Sequence, residues 1–140
     1  MAPILSYRDL EVWQRGMTLI VDIYRLTGEF PSSERFGLVS QMRRAAVSIP
    51  SNVAEGHARG EGAYLNHLRI ALGSQAELST EIEAALRLGF LSPDAAGGLE
   101  SRITEMRRML HGLRASLERR RKAKVSGCLL VFLATLSWLV

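Results

Sequence analysis

Residues 37–56 read GLVSQMRRAAVSIPSNVAEG, and this stretch decides the fold. Leu38, Met42, Ala45, Ile49 and Val53 recur at steps of three and four, so one side of a helix is apolar and needs a covering neighbour. Ser40, Arg44, Ser48 and Ser51 fall on another side. Pro50 lacks a backbone N–H and crowds the preceding turn, so it either bends the helix or breaks it, with Ser51 placed to cap a restart. The periodicity continues beyond Pro50, which predicts a kinked second helix.

Working outward, each flanking segment carries the same period. Ahead of it, residues 1–8 with Pro3 read as a lead-in, and Asp9 is placed to cap a first helix. The expected buried stripe of that helix is Leu10, Trp13, Met17, Ile20, Tyr24 and Thr27, ending at Gly28. Phe30 and Pro31 connect to the second helix, for which Ser33 is the expected cap and Glu34 a favourable first-turn charge. Gly37 then falls early in that helix, at a propensity cost of about 1 kcal/mol, where it permits close packing.

Behind the central stretch, glycines 56, 60 and 62 predict that the second helix fades there. Tyr64, Leu68, Ala71, Gln75, Leu78, Ile82 and Ala85 mark one side of a third helix, widened by Ile70, Leu72 and Leu86 and ended by Gly89. Its small residues Ala71, Gly73, Ser74 and Ala76 suggest a close helix crossing. Ser92 followed by Pro93 is a start signal, and Leu99, Ile103, Met106, Leu110, Leu113 and Leu117 carry a fourth helix. There is no alternating strand pattern. The expectation is an all-α, antiparallel up-down-up-down four-helix bundle over residues 9–121, with a basic and apolar tail over 122–140.

The 140-residue chain suits one domain, and its net charge of +4 is unevenly spread. Residues 100–124 hold nine Lys/Arg against three Asp/Glu, leaving nine basic and eleven acidic residues elsewhere. Arg107, Arg108, Arg114, Arg119, Arg120, Arg121, Lys122 and Lys124 are therefore the candidate contacts for a polyanion such as RNA or DNA, weighed against an ordinary solvated face. No aromatic residue interleaves with them, so binding there would follow the phosphate backbone with little sequence preference.

Arg43 and Arg44 point about 100° apart on a helix. Either they meet phosphates, or they make ion pairs with Glu55 or Glu77 inside the bundle or across a subunit contact.

No residue set suggests an enzyme or a cofactor. His57, His67 and His111 lie on separate segments without a second ligand at helical spacing, and Glu81 and Glu83 diverge on their helix. Cys128 is the single cysteine and sits in an apolar run, which excludes an internal disulfide and fits a reducing cytoplasmic setting. No positively charged start followed by an apolar run is present, so a secretory signal is not expected.

Residues 125–140, VSGCLLVFLATLSWLV, carry no charged side chain. As a helix these 16 positions would reach roughly 24 Å, short of a hydrocarbon core of roughly 30 Å. Three readings stay open: an inner-membrane tail anchor behind the basic cluster, a packing or oligomer helix, or a coding change that replaced a polar end.

DLEVWQRGMTLIVDIYRLTGEFPSSERFGLVSQMRRAAVSIPSNVAEGHARG, followed by YLNHLRIALGSQAELSTEI, resembles the bacterial four-helix bundle proteins encoded in intervening sequences of 23S ribosomal RNA genes, the S23-type family. The match spans roughly residues 7–118. Its most specific pieces are Leu10-Glu11-Val12-Trp13, Gly37-Leu38 with Gln41, Arg43-Arg44-Ala45-Ala46, Ser48-Ile49-Pro50, Asn52 with Ala54-Glu55-Gly56, and Ala71 to Ser74 with Glu77.

The resemblance implies a homo-oligomer, by family habit a ring-like pentamer, that acts as a non-enzymatic binding or scaffold protein. A related branch, the accessory proteins of diversity-generating retroelements, implies nucleic acid and a reverse transcriptase as partners. The alternative is a protein-interaction module without nucleic acid, tethered to the membrane by residues 125–140. Gly60-Glu61-Gly62 departs from the Ser and basic residues usual there, and the apolar tail lies outside the family pattern.

Overall fold

The computed structural model describes residues 5–136, with side chains placed for residues 5–125. Among them are four α-helices: α1 Glu11–Thr27, α2 Leu38–Arg59, α3 Glu61–Arg87 and α4 Pro93–Leu136. Helix α2 packs against α1 and most extensively against α3; α3 packs against α4, and a lighter α1–α4 contact closes the ring. Cross-helix pairs run in opposite directions along each neighbour, as in Ser48–Ser74 and Asn52–His67 between α2 and α3, and Arg15–Glu105 and Asp22–Arg102 between α1 and α4. This is an antiparallel up-down-up-down four-helix bundle.

Helix α3 buries Tyr64, Leu68, Ala71, Gln75, Leu78, Ile82 and Ala85, the whole of its expected stripe, together with Ser74. Ile70, expected to widen that stripe, is instead exposed, while Leu72 and Leu86 pack at its margin. Of its small residues Gly73 and Ala76 face solvent, while Ala71 and Ser74 are buried and Ser74 meets Ser48 of α2. A Cβ on Gly56 would stand 2.5 Å from Tyr64 Cδ2 and 3.2 Å from the Tyr64 backbone, so only glycine lets the two helices meet at this level.

Helix α2 is continuous through Pro50, and Ser51 therefore caps no restart. Pro50 is buried and faces Gly16 of α1, where an added Cβ would come within 2.9 Å of the proline Cβ. That contact sets the rotation of α1. The helix buries Val12, Gly16, Leu19, Asp22 and Ile23; of the expected stripe Leu10 and Thr27 at its ends are buried, Trp13 and Ile20 are half-buried, and Met17 and Tyr24 are exposed. Asp22 enters the interior because Arg102 of α4 and Arg25 meet its carboxylate, the latter at 3.3 Å.

The caps also differ from expectation. The Asp9 carboxylate accepts from the backbone N–H groups of Leu5 and Ser6, at 3.0 and 2.8 Å, and so closes a short 3-10 turn, Tyr7–Asp9, ahead of α1. Tyr7 then packs edge-on against Trp13, so this part of the lead-in is docked on the bundle. Ser33 lies in a separate 3-10 turn, Ser32–Glu34, and α2 starts only after Gly37. Its cap is the Glu34 carboxylate, which accepts from Leu38 N at 3.1 Å. A Cβ on Gly37 would sit 2.7 Å from that carboxylate, which explains the glycine better than helix packing does.

Gly60, at φ +86°, joins α2 to α3. Ser92 Oγ accepts from Ala95 N at 3.2 Å and starts α4 at Pro93 as expected. Helix α4 buries Leu99, Ile103, Met106, Leu110 and Leu117 and runs on to Leu136. No helix among the described residues is long and apolar enough to cross a membrane. The three readings of the apolar tail turn on side chains from residue 126 onward, which lie outside the described residues.

Candidate nucleic-acid interface

The basic residues of α4 divide by what they touch. Arg114 pairs with Glu118 at 3.4 Å and Lys124 with Glu61 of α3 at 2.9 Å. Arg107, Arg108, Arg119, Arg120, Arg121 and Lys122 are exposed, and none makes an ion pair among the described residues. At about 100° per residue, Arg107, Arg108, Arg119 and Lys122 fall within an arc of roughly 120°, turned away from the buried stripe and spread along roughly 22 Å of helix. Arg121 and Lys122 border a shallow hollow shared with Leu65, Arg69, Glu118 and Val125.

The arginine pair of α2 separates. Arg43 reaches back to the end of α1: its Nε donates to Thr27 Oγ1 at 2.9 Å, a second nitrogen donates to the Tyr24 carbonyl at 3.4 Å, and the guanidinium lies 4.5 Å from the Tyr24 ring centroid. It thereby satisfies carbonyl and dipole at a helix C-terminus. Arg44 is exposed and shares a groove with Glu77. Glu55 is not available to either arginine: it pairs with Arg59 at 2.6 Å and approaches His67 to 3.9 Å.

That groove, of about 720 Å³, runs over the outer side of α2 between α1 and α3. Arg35, Arg43 and Arg44 line it with Tyr24 and Phe36, and Ser40, Ser48, Ser74 and Glu77 complete its walls. Just behind, burial pushes the Glu81 carboxyl up to about 7, with neighbouring Glu77 adding to the effect and Arg44 opposing it. Among the described residues Glu81 Oε2 has no hydrogen-bond partner.

Below the groove a polar chain crosses α2 and α3. Ser74 Oγ donates to Ser48 Oγ at 2.8 Å, and the Asn52 amide donates to the Ser48 carbonyl at 2.9 Å. Because the amide nitrogen is so engaged, Asn52 Oδ1 faces His67, whose Nδ1–H donates to it at 2.9 Å. His67 is thus a structural residue, and its Asn52 partner shows in the sequence only as a polar residue four after Ser48. His57 packs edge-on between Tyr7 and Tyr64. Burial pushes the Tyr64 phenol up to about 12. Among the described residues, no group of three His, Cys, Asp or Glu side chains is placed to hold a metal ion.

The architecture is an all-α bundle with a basic helix and a cationic groove. Residues 8–112 match the family described as 23S rRNA-intervening sequence protein, and the chain belongs to that family. Among solved structures, the chain is similar to a Bacteroides thetaiotaomicron VPI-5482 protein of unknown function from the S23 ribosomal protein family. The two share 21% identity with a TM-score of 0.69, covering 74% of this chain and 95% of the other. At that identity the likeness establishes the fold. A comparison with curated proteins found no match.

Proposed function

We propose that this protein is a non-enzymatic, homo-oligomeric accessory protein that binds nucleic acid along the outward face of α4. The observation that carries the reading is the set of six exposed cations, Arg107, Arg108 and Arg119 to Lys122, none engaged by an acid among the described residues. Clustered cations that are not neutralised internally gain by displacing counterions from a phosphate backbone. Self-association is supported by apolar side chains left in solvent on one face of α1, Met17 and Val21. A pentamer is the assembly implied by the family resemblance.

The test is a filter-binding titration of RNA and DNA at two salt concentrations. Binding is expected at low salt and weakens as salt rises. Replacing Arg107, Arg108, Arg119 and Lys122 by Gln should reduce the slope of log K against log salt by about 3, from roughly 0.7 to 0.9 per phosphate contact. Absence of binding at low salt, or binding indifferent to salt, would refute the electrostatic reading.

A further inference from the structure

The groove over α2 has a composition that the backbone contacts of α4 do not account for. Each of its two aromatic rings has a guanidinium against it, Arg43 at 4.5 Å from Tyr24 and Arg35 at 5.6 Å from Phe36. The Phe36 ring is 88% exposed, an unusual position for a large apolar side chain with a core only a few residues away at Val39. Tyr24 is also substantially exposed. Arg43 is held by Thr27 and the Tyr24 carbonyl, while Arg35 and Arg44 make no ion pair among the described residues.

Three cations against one lining carboxylate, Glu77, favour an anionic occupant. A bare inorganic anion would use the guanidinium groups and leave both rings idle. An occupant that alternates flat π-faces with negative charges uses both. Serine hydroxyls at 40 and 48 add donors for sugar or phosphate oxygens, and the volume of about 720 Å³ lies in the range of sites for ligands of nucleotide size.

We infer that the groove seats a single-stranded stretch of nucleic acid, one base stacked on Phe36 and another against Tyr24, with phosphates on Arg35 and Arg44. This deepens the nucleic-acid reading and rests on it for the remaining contacts along α4. Stacking on aromatic faces beside cations is tolerant of sequence, because every base offers a π-face. Met17 and Val21 do not line the groove, whereas Val47 does, so a subunit contact confined to the α1 pair leaves it open.

The experiment titrates the full-length protein into single-stranded RNA and DNA oligonucleotides containing 2-aminopurine, reading anisotropy for binding and fluorescence for stacking. Phe36→Ala, Phe36→Trp and Arg44→Gln are compared with the double change of Arg107→Gln and Lys122→Gln, and each protein is also sedimented without oligonucleotide. Both Phe36 and Arg44 are exposed, so their variants keep the fold. Binding by the wild type should quench the 2-aminopurine; Phe36→Ala should relieve a large part of the quench, leaving that of the base against Tyr24, and weaken binding about tenfold, and Phe36→Trp should restore both.

An unchanged quench in Phe36→Ala overturns the groove. Binding without any quench, lost only in the Arg107 and Lys122 variant, also overturns it and leaves the α4 reading standing. Absence of low-salt binding by the wild type overturns both. A change in sedimentation with Phe36→Ala, without a change in oligonucleotide binding, overturns the inference by making the groove a contact between copies.

Discussion

Gly16 of α1 lies directly against Pro50 of α2, so closely that a Cβ added to the glycine would meet the proline Cβ at 2.9 Å. The pair joins the residue that deletes a side chain to the residue that deletes a backbone donor. Pro50 leaves the Ala46 carbonyl without its usual helical partner, and its ring supplies a flat, rigid surface in exchange.

Three glycines should respond to alanine in different ways. Gly16→Ala gains about 1 kcal/mol in helix propensity but must displace a proline ring that cannot rotate away, so a net loss of about 1 kcal/mol is expected. Gly56→Ala meets the Tyr64 ring at 2.5 Å and backbone at 3.2 Å, and should cost about 2 kcal/mol or more. Gly73 has nothing within 4 Å of an added Cβ, so Gly73→Ala should stabilise by roughly 0.5 to 1 kcal/mol. Denaturant midpoints of the three variants check the order, and a stabilised Gly56→Ala would contradict the packing described.

Arg43 and Arg44 should separate in stability measurements. Arg43→Ala removes two hydrogen bonds and a ring contact at the end of α1, for an expected loss of about 1 to 2 kcal/mol. Arg43→Lys should recover only part of this, since an ammonium cannot present the planar donor set along the Tyr24 ring. Arg44→Ala, at an exposed position, should stay within about 0.5 kcal/mol of wild type. Equal losses at the two positions would show that Arg43 does not anchor α1.

Glu81 predicts a pH dependence of stability. Its carboxyl rises from 4.5 to about 7 on folding, so the folded state holds the proton more tightly than the unfolded chain. The favourable contribution is complete below pH 4.5 and is lost as pH rises through about 7. Solvent reaches part of this group, and screening reduces the expected difference to about 1 kcal/mol. Glu81→Gln should therefore stabilise the protein at pH 8 relative to wild type and lose that advantage near pH 4, as followed by urea unfolding. An advantage independent of pH would contradict this assignment.

How much of the fold was legible is best seen by comparing α3 with α1. In α3 the apolar residues and Gln75 mark one phase, and the whole central line from Tyr64 to Ala85 is buried, with only Ile70 at its edge exposed. In α1 two adjacent phases are apolar, and the buried one contains Gly16 and Asp22, which no hydrophobicity reading would choose. Gly16 belongs there because Pro50 is opposite, and Asp22 because Arg102 reaches it from α4. Both partners are remote in sequence. The caps of the first two helices were hidden for a similar reason: Asp9 accepts the N–H groups of Leu5 and Ser6 at a turn ahead of α1, and Glu34 reaches Leu38 at the start of α2 from a turn that local spacing does not signal.

The candidate interface divides along the same line. The basic run of α4 is visible in the chain because its residues are neighbours on one helix. Phe36, Tyr24 and Arg44 belong to a loop and two helices, and only their packing puts both rings beside the arginines.

For this protein, then, helical period, start signals and charge placement are properties of bonded neighbours, and the sequence alone determined four helices, their order and the basic character of the last. Which face of α1 turns inward, and that GLVSQMRRAAVSIPSNVAEG forms the floor of a cationic, aromatic groove, depend on contacts between segments far apart in the chain. Those contacts are selected by shape, by Gly16 on Pro50 and Gly56 on Tyr64, and shape complementarity exists only once the helices have met.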